Sequence, residues 1–204
     1  MRTALNRTAL VGASKNAEKA FQAVTDEQLA QFPANEKNAW AMAAVIHCDF
    51  CRLVIAYEER EREGLARLLW VADIDSKLFE ARNWYSNAGS KILNEIASTK
   101  SCGVADLNKR IEHLKNTHQI HRINKYEDYR NKFGYHYDEN AISYLQKFSG
   151  EDANEFFEIL SAFVKFSGDW AQITKNPRPM RSNRSLAPNP SFKRRPLISN
   201  VRQQ

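Results

Sequence analysis

The sequence is poor in residues that interrupt helices. It contains seven glycines and six prolines among 204 residues, and no proline lies between residues 34 and 175. Because these two residues disfavour helix interiors most strongly, their scarcity favours helix throughout this stretch. The composition therefore predicts an all-α protein, an antiparallel bundle of about five to seven helices, and excludes a predominantly β fold.

Cysteine is also scarce, with three residues in the chain. So few cysteines do not make a disulfide framework, and they indicate a reducing compartment. Cys48 and Cys51 form a single C-x-x-C pair in a predicted helix, whereas a structural zinc site needs four ligands and usually a second such pair. We therefore interpret both cysteines as core residues and expect neither a metal nor a cofactor.

Long hydrophobic runs and nucleotide-binding signatures are missing as well. The longest uninterrupted apolar run, residues 39–46, is far shorter than the ~20 residues that span a bilayer. Polar residues interrupt residues 1–13, so no signal peptide is predicted. The sequence has no glycine-rich phosphate loop and no G-x-S-x-G motif. We expect a cytoplasmic protein without membrane contact.

Positive charge is concentrated at one end of the chain. The formal net charge is +6, but seven of the 30 basic residues and none of the 24 acidic residues follow residue 175. The remaining 23 basic and 24 acidic residues nearly cancel. Any nucleic-acid contact made by residues 1–175 must therefore come from a local patch or from a cleft between subunits.

The chain divides into three parts by composition. Residues 1–13 are predicted to be a flexible N-terminus, residues 14–175 a helical domain with one core, and residues 176–204 a disordered basic tail rich in Pro, Ser, Asn and Arg. The tail either has no binding role or binds RNA phosphates electrostatically. Apolar periodicity places the helices at about residues 14–31, 38–62, 65–82, 91–96, 105–132, 139–148 and 151–173.

One carboxylate interrupts an apolar helix face. On a helical projection of residues 65–82, Asp75 falls among leucine, valine and phenylalanine side chains. An isolated charge in such a place is costly, so this carboxylate must find a partner or have a raised pKa. Asp75 is interpreted either as half of a structural ion pair or as a group that orients a functional Arg or His.

Several side chains suited to catalysis occur together in residues 129–138, which read Y-R-N-K-F-G-Y-H-Y-D. This stretch places Arg130, Asn131 and His136 within seven residues, across a break in helical pattern at Gly134. Glycine readily adopts the left-handed conformation that ends a helix, and Asp138 can cap the next one. The sequence therefore predicts His136 on a short loop close to Arg130.

This stretch resembles the signature of the HEPN superfamily. That signature has an Arg, a polar residue and a His a few residues further on, at a junction between two helices of an α-helical bundle. Arg130, Asn131 and His136 match it, and the resemblance extends loosely over residues 35–175. It implies a metal-independent endoribonuclease without cofactor. Such proteins often occur in toxin and antitoxin pairs and in abortive phage infection, and they act as homodimers with both motifs lining one cleft.

The residue types suit RNA cleavage without a metal. His136 can exchange protons near neutrality, and Arg130 can hold a phosphate through two parallel hydrogen bonds. Asn131 would position one of these two side chains or the phosphate, or would cap a helix end. Tyr135 and Tyr137 would stack on unpaired bases, or pack against the protein.

Three functional hypotheses follow. The first is an active ribonuclease with RNA as substrate and a nucleotidyltransferase-type antitoxin as partner. The second is a HEPN-like module that has lost catalysis and binds nucleotides or RNA, or assembles with other proteins. The third is an unrelated helical bundle.

Overall fold

The computed structural model describes residues 2–59, 64–99, 103–131 and 150–175, together with residues 139 and 143. Within these ranges the chain forms six α-helices of ten or more residues and no strand, which confirms the predicted all-α bundle. The helices are α1 (Arg2–Thr25), α2 (Ala34–Glu59), α3 (Gly64–Trp84), α4 (Ser90–Thr99), α5 (Val104–Thr117) and α6 (Gly150–Lys175). Apart from residues 139 and 143, the helix predicted at residues 139–148 lies outside the described residues, and so does the tail predicted at residues 176–204.

Helices α1 and α2 form an antiparallel hairpin. Asn6 near the start of α1 bonds to Glu58 near the end of α2 (2.9 Å), and the Lys37 ammonium donates to the Val24 carbonyl at the opposite end (3.2 Å). Small residues such as Ala20 lie buried between the two helices and let them approach closely. Residues 2–13, predicted to be a flexible N-terminus, instead form the first half of α1.

Aromatic side chains from several helices fill the core. Phe50 of α2 meets Phe163 of α6 edge to face, with ring centroids 4.6 Å apart. Tyr85, in a π-helical turn (Tyr85–Gly89) between α3 and α4, contacts Phe166 and Trp170 of α6 in the same way. Each such buried ring contributes about 2–3 kcal/mol through apolar burial. These contacts join α2, α6 and the π-helical turn that follows α3.

Helix α2 is long and apolar enough to cross a bilayer by length and composition alone. Half of its most apolar stretch is buried inside the bundle, where Phe50, Leu53 and Tyr57 belong to the core. Packing in the bundle accounts for the apolar composition of that inner face. The expected absence of membrane contact stays a prediction.

The segment after α5 differs from the single long helix predicted for residues 105–132. Helix α5 ends at Thr117, Gln119 adopts the left-handed conformation (φ 49°, ψ 41°), and a 3₁₀ helix follows (Ile120–Tyr126). Ile120, Ile123 and Tyr126 are all buried. A 3₁₀ helix has three residues per turn and therefore aligns this spacing on one face. The break turns the chain towards α3.

Candidate functional site

Arg130 and Asn131 lie where the chain passes over the second half of α3. A short helical turn (Glu127–Tyr129) follows the 3₁₀ helix, and Arg130 and Asn131 continue it as a wider, π-helical turn. Buried Tyr126 anchors the segment through an edge-to-face contact with Phe156 of α6 (centroids 5.2 Å apart). Packing of Tyr126 in the core therefore determines the position of the Arg130 side chain over α3.

The Arg130 guanidinium lies on an aromatic ring and contacts a carboxylate. Its central carbon is 5.4 Å from the Phe79 ring centroid, within the range of a cation–π interaction. Its Nη2 donates to Glu80 Oε1 at 2.8 Å. The side chain is 26% exposed and that of Glu80 is 55% exposed. Phe79 and Glu80 thus position a guanidinium that is still partly exposed to solvent.

Asn131 is exposed beside this guanidinium. Its Oδ1 lies 3.4 Å from Arg130 Nη1, a long and therefore weak hydrogen bond. Both alternatives for this amide remain open, because the residues that would follow it in a capped helix lie outside the described part of the chain. The structure does show that the two neighbouring motif residues point their polar groups to one place.

Asp75 is fully buried one turn before Phe79 on α3. Neither of its carboxylate oxygens makes a hydrogen bond of normal geometry to a described residue. Burial raises the pKa of Asp75 to about 8, although the Arg130 backbone N–H, which lies close but outside that geometry, and the Arg130 positive charge oppose this shift. Of the two outcomes expected for this carboxylate, a partner or a raised pKa, the second is found. No ion pair with a described residue supports the structural alternative.

The structure brings Asp75, Arg130 and Asn131 together, and it adds Phe79 and Glu80, which the sequence did not single out. The only signal in the sequence was their spacing of four and five residues from Asp75. Their role depends on the chain crossing α3 at this point. The other candidate residues, which lie outside the described part of the chain, are His136, Tyr135 and Tyr137.

A second polar cluster lies between α2 and α6. Ser167 is buried, and its hydroxyl donates to the Val164 carbonyl (2.9 Å), so its oxygen accepts from His47 Nδ1 (2.9 Å). His47 Nε2 is then an acceptor for the Cys51 thiol (3.7 Å). Burial lowers the pKa of His47, against the opposing effects of the Val164 carbonyl and the Asp169 carboxylate.

This second cluster is unsuited to nucleophilic chemistry. Burial raises the pKa of Cys51 to about 11, so the thiol stays protonated at neutral pH. Cys48 and Cys51 are both free thiols, and Cys51 is buried in the core as predicted, whereas Cys48 is only partly buried. Across the described ranges, no three side chains of the metal-binding types gather into one group. The cluster is a structural network between two helices.

A histidine in the polar segment after α5 is also held by the bundle. His118, where α5 ends, has a side chain that is 12% exposed, and its Nε2 lies 2.9 Å from Asp169 Oδ2 on α6. The polar composition of this segment concealed that contact, because Asp169 is distant in sequence. His113 and His121 are exposed.

Comparison of the chain with protein-family models, with curated proteins and with solved structures finds no match. The functional argument therefore depends on the motif and its surroundings. Chemically, these surroundings offer a positioned, partly exposed guanidinium, an adjacent amide and a carboxyl group that is neutral at neutral pH.

Proposed function

We propose that the protein is a metal-independent endoribonuclease of HEPN type, a cytoplasmic toxin or phage-defence effector that acts as a homodimer. The observation that carries this proposal is the placement of Arg130, held against Phe79 with one guanidinium edge contacting an exposed carboxylate. Arginine recognises phosphate and carboxylate oxygens with the same fork of N–H groups. Glu80 thus occupies a position that suits a phosphate oxygen of RNA.

The proposed reaction is an internal transfer within RNA. The ribose 2′-oxygen forms a bond to the adjacent phosphorus while the bond to the 5′-oxygen breaks, which leaves a 2′,3′-cyclic phosphate and a 5′-hydroxyl. His136 takes the 2′-hydroxyl proton or supplies one to the 5′-oxygen, and a dimer would provide a second His136 for the other step. Arg130 stabilises the charge on the five-coordinate phosphorus, and Asn131 orients the phosphate.

Asp75 would support this chemistry by remaining neutral. A second ionised carboxylate beside Arg130 would compete with phosphate for its charge. Because the pKa of Asp75 is raised to about 8, the group is mostly protonated at pH 7 and leaves the charge of Arg130 available. In this proposal Asp75 is a positioning residue, which lies behind the Arg130 backbone and does not touch RNA.

The alternative is a HEPN-like module without catalysis that binds nucleotides or RNA, or assembles with other proteins. The Arg130–Glu80 ion pair favours it, because a guanidinium that already contacts a carboxylate serves a structural purpose without any ligand. An exposed pair of this kind typically contributes at most about 1 kcal/mol. Phosphate can therefore displace Glu80 at small cost, and the ion pair does not oppose the catalytic proposal strongly.

The decisive experiment measures RNA cleavage and melting temperature on the same preparations of His136→Ala and Arg130→Ala. Loss of a proton-transfer group lowers the rate by about 10² to 10⁴. We expect a loss of this size in His136→Ala and a strong loss in Arg130→Ala, with little change in melting temperature. Cleavage by the unaltered protein should persist in a metal chelator.

Two matched controls separate catalysis from a general effect. Arg7 forms an exposed ion pair with Glu59 (2.9 Å) like that of Arg130, and His121 is an exposed histidine that does not belong to the motif. Arg7→Ala and His121→Ala should cleave RNA at the unaltered rate. Cleavage that survives in His136→Ala would remove the catalytic assignment. A lower melting temperature in the motif variants, with cleavage falling only in proportion, would favour the structural alternative.

The partners belong to the same proposal. A symmetric dimer would place two copies of Arg130 and His136 along one RNA cleft, and a nucleotidyltransferase-type antitoxin would restrain the activity. Light scattering at micromolar concentration tests the dimer, and a monomer at that concentration would contradict it.

A further inference from the structure

An apolar groove lies at the end of the bundle opposite the start of α1. The C-terminal part of α1, the residues that connect it to α2, the first turns of α2 and the end of α6 enclose a cavity of about 310 Å³. Its apolar lining includes Leu29, Phe32 and Trp40. Cavities of about this size with a mostly apolar lining and few polar groups are typical of binding sites.

Two polar groups in the groove indicate what would bind there. The Trp40 indole N–H is buried and has no hydrogen-bond partner among the described residues. A buried donor of this kind is costly to leave unpaired, so an occupant that supplies a carbonyl oxygen would be favoured. Glu36 places a carboxylate on the same lining, which favours an occupant that carries a positive charge.

The chain itself supplies a segment with matching chemistry. Thr174 lines the groove and Lys175 ends α6, and the sequence then continues as Asn176, Pro177, Arg178, Pro179. A polyproline segment spans ~3.1 Å per residue, so the three residues from Thr174 to Pro177 and the five to Pro179 correspond to about 9 and 16 Å of chain. This length is compatible with binding of the two prolines in the groove without a linker.

We propose that Pro177 to Pro179 occupy this groove in the same molecule. Proline-rich segments dock in aromatic-lined grooves because their extended conformation is preformed and their carbonyl groups are free to accept hydrogen bonds. The prolines pack on Phe32 and Trp40, a backbone carbonyl accepts the Trp40 indole N–H, and Arg178 faces Glu36. The inference does not depend on ribonuclease activity.

The test uses the full-length chain with ¹⁵N-labelled tryptophan indoles, observed by NMR. The chain has four tryptophans, and Trp40→Phe identifies the signal of Trp40. In Pro177→Ser/Pro179→Ser we expect that signal to shift and its exchange with water to become about fivefold faster, which is the loss of one hydrogen bond of average net strength. The indole signals of Trp84 and Trp170 should stay in place.

The chain offers a matched control in its second Pro-x-Pro sequence. Pro188→Ser/Pro190→Ser makes the same chemical change further along, and it should leave the Trp40 signal unaltered. The proposal is overturned if the first double variant has no effect, or if both double variants have the same effect. An effect that grows with protein concentration would also overturn it, because the groove would then hold the segment of another copy.

Discussion

Two clusters of buried polar side chains in this bundle differ in whether their hydrogen-bonding groups have partners. In the cluster between α2 and α6, each of the three side chains has a partner, since Ser167 donates to a backbone carbonyl, His47 donates to Ser167, and Cys51 donates to His47. On α3, the Asp75 carboxyl is equally buried but makes no hydrogen bond of normal geometry to a described residue, and Arg130 lies beside it.

The difference distinguishes a structural network from a candidate functional one. A fully paired network stabilises one arrangement of two helices and gains nothing from a ligand. An unpaired buried carboxyl costs free energy, and a buried carboxyl with a raised pKa beside a charged side chain is a candidate for a functional position. The comparison thus supports the proposal that chemistry takes place near Arg130. It leads to three predictions, which follow from the largest expected effect to the smallest.

The largest effect is expected from Asp75. The folded protein keeps the Asp75 proton up to about pH 8, whereas the unfolded chain releases it near the ordinary value of 3.8. The folded state therefore binds more protons in this interval, and stability falls as pH rises through it. Two pH units correspond to about 3 kcal/mol, so unfolding free energy should fall by that order between pH 5 and pH 7.

Urea unfolding of Asp75→Asn at pH 5, 6, 7 and 8 checks this prediction. The variant has no carboxyl at this position, so its stability should lack that decrease. Asp73→Asn is the control, because Asp73 is an exposed carboxylate on the same helix, and it should keep the decrease. If Asp75→Asn keeps it as well, the contrast between the two clusters is lost.

An intermediate effect is expected from the paired cluster. Ser167→Ala removes the acceptor of the His47 N–H in the interior, and a buried donor without a partner costs about 1–3 kcal/mol. Thermal unfolding of the variant measures this loss. Ser98→Ala is the matched control, since the Ser98 hydroxyl also bonds to a helix carbonyl (Asn94, 2.8 Å) but is exposed. Its loss should stay within about 0.5 kcal/mol, and equal losses would show that the network adds nothing.

The smallest effect concerns the ligand position at Arg130. Glu80→Gln removes the carboxylate that competes with phosphate, so RNA affinity should rise up to about fivefold, in line with an exposed ion pair of at most about 1 kcal/mol. Binding is best measured in the His136→Ala background, where RNA is not cleaved. Glu59→Gln removes the partner of Arg7 and serves as control. An equal rise in both variants would reflect net charge alone and would count against a phosphate position at Arg130.

Much of the fold was predictable because helix formation is largely local. The scarcity of proline and the apolar periodicity predicted the bundle, and α3, α4 and α6 lie close to their predicted ranges. Errors occurred where tertiary contacts override local preference. Residues 2–13 look too polar for a stable helix, but the hairpin with α2 stabilises them. The segment after α5 has helical periodicity, but its three buried residues fit a 3₁₀ helix.

The sequence by itself determined the all-α class, the position of the Arg, Asn and His motif, and the conflict at Asp75, because each depends on residue type and short spacing. Only the tertiary structure decided that Asp75 lies behind Arg130 and that Phe79 and Glu80 hold its guanidinium. Some fifty residues separate α3 from Arg130 in the sequence, and no local pattern specifies which helix the chain will cross. Burial of Ile123 and Tyr126 in the shared core makes that choice.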